Sequence, residues 1–177
     1  MPGFVEIDLV GHEGGNSSGE FAMTLTVTDI FTGWTINRSV KNKAAIWVFE
    51  AIEYVISQFP FPILGIDSDN GSEFINHHLF NYCTEHEITF TRSRSGNKND
   101  GAHVEQKNWT HIRQWFGYER YDNPAVVPLL NGLTTGPWNH LLNFFCPVMK
   151  LARKERVGTR LRRVYDEPAT PLSLIHI

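Results

Sequence analysis

The alternation of apolar and polar positions divides the chain into segments of two periods. Phe4-Val5-Glu6-Ile7-Asp8-Leu9-Val10 reads as a strand, and a Gly/Ser/Asn loop follows at 14–19. The β-formers of Phe21–Thr28 and of Trp34–Val40, joined across Thr32-Gly33, predict a second and a third strand. Short connections make these three an antiparallel meander. The period then changes. Ala45, Val48, Phe49, Ile52, Val55 and Ile56 recur at helical spacing, with Asn42 as N-cap and Pro60 and Pro62 beyond the end. Phe61-Pro62-Ile63-Leu64 predicts a buried fourth strand. Ser72–Glu85 predicts a helix with Leu79, Phe80 and Cys83 inward, and Ile88–Thr91 a short fifth strand.

The stretch from Arg92 to Gly101 has no apolar residue and predicts a basic loop. A helix from about Ala102 to Phe116 follows. Glu105, Trp109, Ile112 and Phe116 share one stripe, which turns Glu105 toward the sheet. Trp47, Trp109 and Trp115 are expected in the core. Pro124–Phe145 reads as helix broken at Gly136-Pro137. Lys150–Arg163, with seven Lys/Arg and one Glu, is a basic extension that either tracks nucleic acid or forms a basic helix against a partner. Strands and helices in the order βββαβαβ call for an α/β fold, a five-stranded mixed sheet with helices on both faces.

With 177 residues and 41% hydrophobic content the chain suits one domain with a real core. There is no apolar run of about 18 residues for a membrane span and no secretory leader pattern at the start. Two cysteines, Cys83 and Cys146, offer neither a disulfide framework nor a cysteine zinc site, so a cytoplasmic location is expected. The net charge of −3 hides an asymmetry. Residues 1–90 carry 3 Lys/Arg against 12 Asp/Glu, whereas residues 91–177 carry 13 against 7. An acidic half and a basic half suit a site that meets cations on one side and phosphates on the other.

Three acids stand out by position. Asp8 lies in mid-strand, Asp69 at a strand end before the turn Asn70-Gly71, and Glu105 on an inward helical stripe. Brought together they would raise one another's pKa, a conflict that a divalent cation removes. Oxygen-only ligands suit Mg²⁺ or Mn²⁺. Glu6 and Asp67, each two residues before one of these acids, share its strand face and are alternatives on spacing alone.

Asp69-Asn70-Gly71-Ser72-Glu73-Phe74 followed by Asn99-Asp100-Gly101-Ala102-His103-Val104-Glu105-Gln106-Lys107-Asn108 resembles the catalytic core of DDE transposases and retroviral-type integrases. Ile7-Asp8-Leu9 matches the first acid, and 35 residues separate Asp69 from Glu105, the spacing of the retroviral-integrase group. The likeness covers about residues 3–171 and is nearest to integrase-like transposases of bacterial insertion sequences. One departure lies at Ser95-Gly96-Asn97, where the family pattern has a Pro-aromatic-Lys loop.

The resemblance implies an RNase H-like fold in which Asp8, Asp69 and Glu105 hold two Mg²⁺ or Mn²⁺ ions, with Asp8 bridging both. It implies in-line phosphoryl transfer: DNA strand cleavage and strand transfer on transposon ends and target, by a homodimer or larger assembly at the nucleoid. Two other readings stand beside it, a nuclease of the same fold without strand transfer and a non-catalytic DNA-binding remnant. Arg92, Arg94, Lys98, Lys107 and Asn108 are candidate DNA contacts, and Asn70 a supporting residue. The core is expected over 1–146, with a basic extension at 147–171. The final Leu-Ser-Leu-Ile-His-Ile, 172–177, is expected to be non-native, because its back-translation can match a sequencing-adapter sequence.

Overall fold

The computed structural model describes residues 1–94 and 100–176. Five strands form the main sheet: β1 (Phe4–Gly11), β2 (Met23–Asp29), β3 (Thr35–Val40), β4 (Gly65–Ser68) and β5 (Thr89–Arg92). Their spatial order is β3-β2-β1-β4-β5. β1 pairs antiparallel with β2, and β2 with β3, as the short turns require. β4 lies parallel to β1 and β5 parallel to β4. The two parallel steps are made by α1 (Ala45–Ser57) and α2 (His77–Glu85). The five-stranded mixed α/β architecture expected from the order of elements is therefore present.

Val5, Ile7, Leu25, Val27, Ile36 and Ile66 of the sheet pack with Val48, Ile52, Val55, Leu79 and Cys83 of the two helices. Phe74, fully buried, fills the space ahead of α2. β2 is buried along its whole length, so both faces of the sheet are covered there.

Several boundaries move. The apolar run Phe61–Leu64 is not a strand. Prolines 60 and 62 have no N–H to give, and pairing starts at Gly65. α1 is preceded by Ala44, and Asn42 instead accepts the Ala44 N–H at 3.0 Å in the turn before it. α2 starts five residues later than expected, where Asn76 accepts the Leu79 N–H at 3.0 Å. Phe80 on this helix points outward at 59% exposure.

The helix expected at 102–116 is continuous in path but not in winding. α3 (Ala102–Lys107) passes into a π-helical stretch, Asn108–Arg113, and ends in one α turn, α4 (Gln114–Phe116). The wider turn breaks the expected stripe: Ile112 is fully buried while Trp109 and Trp115 are exposed. Beyond it come α5 (Val126–Thr134), the short α6 (Pro137–His140) and a second π-helical stretch, Leu141–Phe145.

The basic extension is not a helix. It is a hairpin of β6 (Leu151–Val157) and β7 (Arg160–Tyr165), separate from the main sheet. β-Branched and aromatic residues at Val157, Val164 and Tyr165, around the Gly158 turn, explain the preference. Residues 172–176 do not stand apart from the fold. α7 (Pro171–Ile175) is capped by Thr170, and Leu172 and Ile175 pack against the core.

Candidate active site

The site grows from the middle of the sheet. Asp8 lies in the middle of β1, at a position where pairing to β4 has just ended: Ile7 is opposite Ser68, the last residue of β4. Asp69 is the next residue of that neighbouring strand. It turns the chain through an Asx turn, its Oδ1 accepting the Gly71 N–H at 2.8 Å. The parallel pairing of β1 and β4 thus puts two acids side by side at one sheet edge, where open α/β sheets carry their sites. Glu105 approaches from the first turn of α3.

Asp8 is half-buried and its carboxylate is held twice. Oδ1 accepts the Leu9 N–H at 2.8 Å, and Oδ2 accepts the side-chain amide of Asn108 at 2.7 Å. Even so its pKa is pushed up to about 6, chiefly by burial, then by the charges of Asp69 and Glu105; the two hydrogen bonds oppose the shift. The three acids therefore lie within electrostatic reach of one another. Asp69 and Glu105 are exposed. Glu105 does not lie against the sheet as its stripe suggested, because Val104 and Lys107 occupy the inward positions of the short α3.

These are oxygen donors on an exposed rim, of the type that Mg²⁺ or Mn²⁺ accepts. Among the described residues no three acidic, His or Cys side chains stand close enough to enclose an ion in this conformation. The donor set fits a hard divalent cation; its spacing here is that of an open rim.

Glu6 and Asp67 do other work. Glu6 is buried and its Oε2 accepts the Val104 N–H at 2.9 Å. Asp67 accepts the hydroxyls of Thr91 at 2.5 Å and Ser93 at 3.1 Å. Both carboxylates hold the frame of the site, which leaves Asp8 and Asp69 as the acids with access to it. Spacing alone treated the four as equivalent. The sheet separates them, because Glu6 and Asp67 are opposite each other within the β1–β4 pairing, whereas Asp8 and Asp69 lie just beyond its last pair, Ile7 and Ser68.

Asn70 donates to the Ser93 carbonyl at 3.1 Å and so ties the loop after β4 to the end of β5. Arg92 and Arg94 are exposed beside this loop. Arg94 also holds Asp100 through two side-chain hydrogen bonds of 3.0 Å, which pulls the Asp100 carboxyl down to about 2. A cleft of about 500 Å³ lined by Glu6, Asp67, Thr91, Arg92 and Arg94 runs alongside.

Two candidates change role. Asn108 faces Asp8 rather than solvent and acts on the first acid. Lys107 is buried beneath α3, and burial brings its pKa down to about 8; it is not on the surface that phosphates reach. Lys98 and the departure at Ser95-Gly96-Asn97 lie outside the described residues.

Two residues absent from the sequence reading cover the sheet edge. Asn143 accepts the Thr35 N–H at 2.9 Å and donates to the Thr35 carbonyl at 2.8 Å. Asn131 does the same for Ser39, at 2.7 and 2.9 Å. No periodicity marks them, since each is one polar residue in an apolar helical stretch.

The integrase core domain family model matches residues 1–98, which hold the whole sheet and the first two acids. The chain is 39% identical over 173 residues to the Sinorhizobium fredii protein y4rM, covering 98% of this chain and 49% of that protein. It thus spans about half the length of the curated relative it matches. Among solved structures it is similar to a chain of the simian T-cell lymphotropic virus intasome, with a TM-score of 0.68 at 18% identity, over 100% of this chain and 55% of that one. The BIV integrase catalytic core gives a TM-score of 0.58 at 17% identity over 97% and 92%. The HTLV-2 integrase catalytic core in complex with magnesium gives 0.60 at 17% over 84% and 91%. At these identities the likeness speaks for the RNase H-like fold of such cores. Together with the match over more than half its length, it places the chain: it belongs to the integrase core domain family.

Proposed function

We propose that this chain is the catalytic core of a DNA transposase or integrase, a metal-dependent polynucleotidyl transferase that cuts DNA and joins the freed end to a target. The observation that carries this reading is the parallel pairing of β1 with β4, which sets Asp8 beside Asp69, with Glu105 on the facing helix within electrostatic reach of Asp8. An acid cluster at a sheet edge that repels itself is a poor structural device and a good cation receptor. Asp8, Asp69 and Glu105 would hold Mg²⁺ or Mn²⁺, two ions by family resemblance. When bound, these supply activation of water or a 3′-hydroxyl and charge stabilisation at the leaving oxygen.

The chain's own residues prepare that site. Asn108 and the Leu9 N–H fix both oxygens of Asp8. Glu6 fixes the start of the helix that carries Glu105. Asn70 pins the loop of Asp69. Arg92 and Arg94, exposed at the end of β5 and just beyond it, are placed to meet phosphates. DNA ends and target are the proposed partners, bound by a dimer or larger assembly.

Calorimetric titration with Mn²⁺ tests the reading. Wild type should release heat, and Asp69→Asn should not. An absence of Mn²⁺ binding by wild type would leave a non-catalytic remnant of the family. Incubation with labelled duplex ends separates the enzymes: joined strands support the transferase, and products that are only shortened support a nuclease.

A further inference from the structure

The β6–β7 hairpin is built unlike the rest of the molecule. Every residue from Leu151 to Tyr165 is exposed except Glu155 and Val164, which are half-buried. Its base is anchored where Val148 bridges Ala169 and the Asp166 N–H meets the Lys150 carbonyl at 2.9 Å. Gly158, at a φ of +61°, makes the tight turn at its tip.

The register distributes charge over both faces. Lys154 is opposite Arg163 and Arg156 opposite Leu161 on one face; Glu155 is opposite Arg162 and Val157 opposite Arg160 on the other. Arg153 pairs with Glu155 at 2.6 Å. Lys154, Arg156, Arg160, Arg162 and Arg163 make no ion pair among the described residues. A two-stranded ribbon is marginal by itself, and like charges directly opposite each other weaken it further. Such a ribbon gains from a dense line of negative charge along its length. The major groove of duplex DNA, about 12 Å wide, admits a two-stranded ribbon.

We infer that residues 151–165 form a DNA-binding β-ribbon, which lies in the major groove of a duplex and contacts the phosphates of both groove walls through Lys154, Arg156, Arg160, Arg162 and Arg163. The inference rests on the reading of the chain as a DNA enzyme but uses a surface separate from the acid cluster. The ribbon holds a duplex while the acids act on it.

The test uses the whole chain. Binding to a fluorescent duplex of about 30 base pairs is measured by anisotropy over a salt series, for wild type and for R156Q/R160Q/R162Q/R163Q. All four positions are exposed, and circular dichroism melting checks that the variant folds. The expected result is affinity at least tenfold weaker, with a salt slope shallower by as much as about 3.6 if all four cations touch phosphates. Wild type should also shield guanine N7 from dimethyl sulfate, and the variant should not. Equal affinity and slope for the two proteins overturns the inference. So does a wild-type chain whose sedimentation shows self-association through the ribbon that the substitutions abolish while DNA binding persists. Mn²⁺ titration of the same proteins keeps the two ideas apart. Loss of the ribbon effect with intact Mn²⁺ binding sinks this inference alone, and absent Mn²⁺ binding with an intact ribbon effect sinks the catalytic reading alone.

Discussion

The carboxylate of Glu6 accepts the backbone N–H of Val104, one residue before Glu105, at 2.9 Å. A strand near the start of the chain thus supplies the cap that the helix of the third acid lacks locally. Gly101 precedes that helix at a φ of +81° and brings no side chain to bond it.

Removing the cap should loosen Glu105 before it harms the sheet. Glu6→Ala is expected to cost about 1–2 kcal/mol of stability. It should also weaken Mn²⁺ binding severalfold, whereas Glu6→Gln, which keeps an acceptor oxygen, should retain most of both. Thermal melting with parallel Mn²⁺ calorimetry reads the two effects. An unchanged Mn²⁺ affinity in the alanine variant would limit Glu6 to a structural part.

Asp8 should be a burden to the metal-free fold. Its folded pKa, about 6, lies above the ordinary 3.8. The folded chain therefore keeps the proton longer than the unfolded one, and stability falls as pH rises between those values. The shift amounts to roughly 3 kcal/mol, part of which an amide would give back through a mismatched donor. Asp8→Asn is expected to melt higher than wild type in EDTA at pH 8, by about 1 kcal/mol in stability, while losing Mn²⁺ binding. A variant that melts lower in EDTA contradicts the account of a strained acid.

Two histidines should make the fold acid-sensitive in the opposite direction. His12 is fully buried, bonded through Nε2 to Thr24 at 2.8 Å with Nδ1 unpartnered among the described residues; burial and Arg113 lower its pKa to about 4. His111, buried near Lys107, falls to about 3. A folded pKa below the unfolded 6.5 means that the unfolded chain takes up the proton first, so stability is lost as pH falls below 6.5. By pH 5 each contributes a loss on the order of 2 kcal/mol, which the opposite titration of Asp8 offsets in part. Melting temperature should drop between pH 7.5 and 5, and less steeply in His12→Gln. Equal slopes for the two proteins would remove His12 from the explanation.

Asn131 and Asn143 should protect the open edge of β3. Each satisfies both backbone groups of one edge residue. Asn143→Leu leaves the Thr35 N–H and C=O without partners and is expected to cost about 2–4 kcal/mol. Edge-to-edge association should follow at high concentration, seen by light scattering. A variant as stable and monodisperse as wild type would show that water replaces the amide fully.

The sheet was legible in the sequence because period two and short turns dictate a meander, and because the crossover helix α1 has an unbroken apolar face from Val48 to Val55. Asp8 stood out because a carboxylate in mid-strand opposes local preference, whereas Asp69 sits in a turn that Asp favours and stood out only by its place after a strand. What could not be read was winding and depth. Nothing in 108–113 announces a π turn, and that turn is what exposes Trp109. Lys107 reads as a surface cation until the turn geometry buries it. The hairpin was misjudged because basic residues hide the β-formers between them.

The central place of β1 in the sheet has a consequence for the order of synthesis. Its one edge finds β2 at once, but its other edge waits for Gly65–Ser68, and its first acid waits for Asn108. Contacts so distant along the chain form late and slowly. A nascent chain halted before residue 108 has the strands of its main sheet but lacks the amide that holds the Asp8 carboxylate, so the setting of that acid arrives only after the scaffold around it.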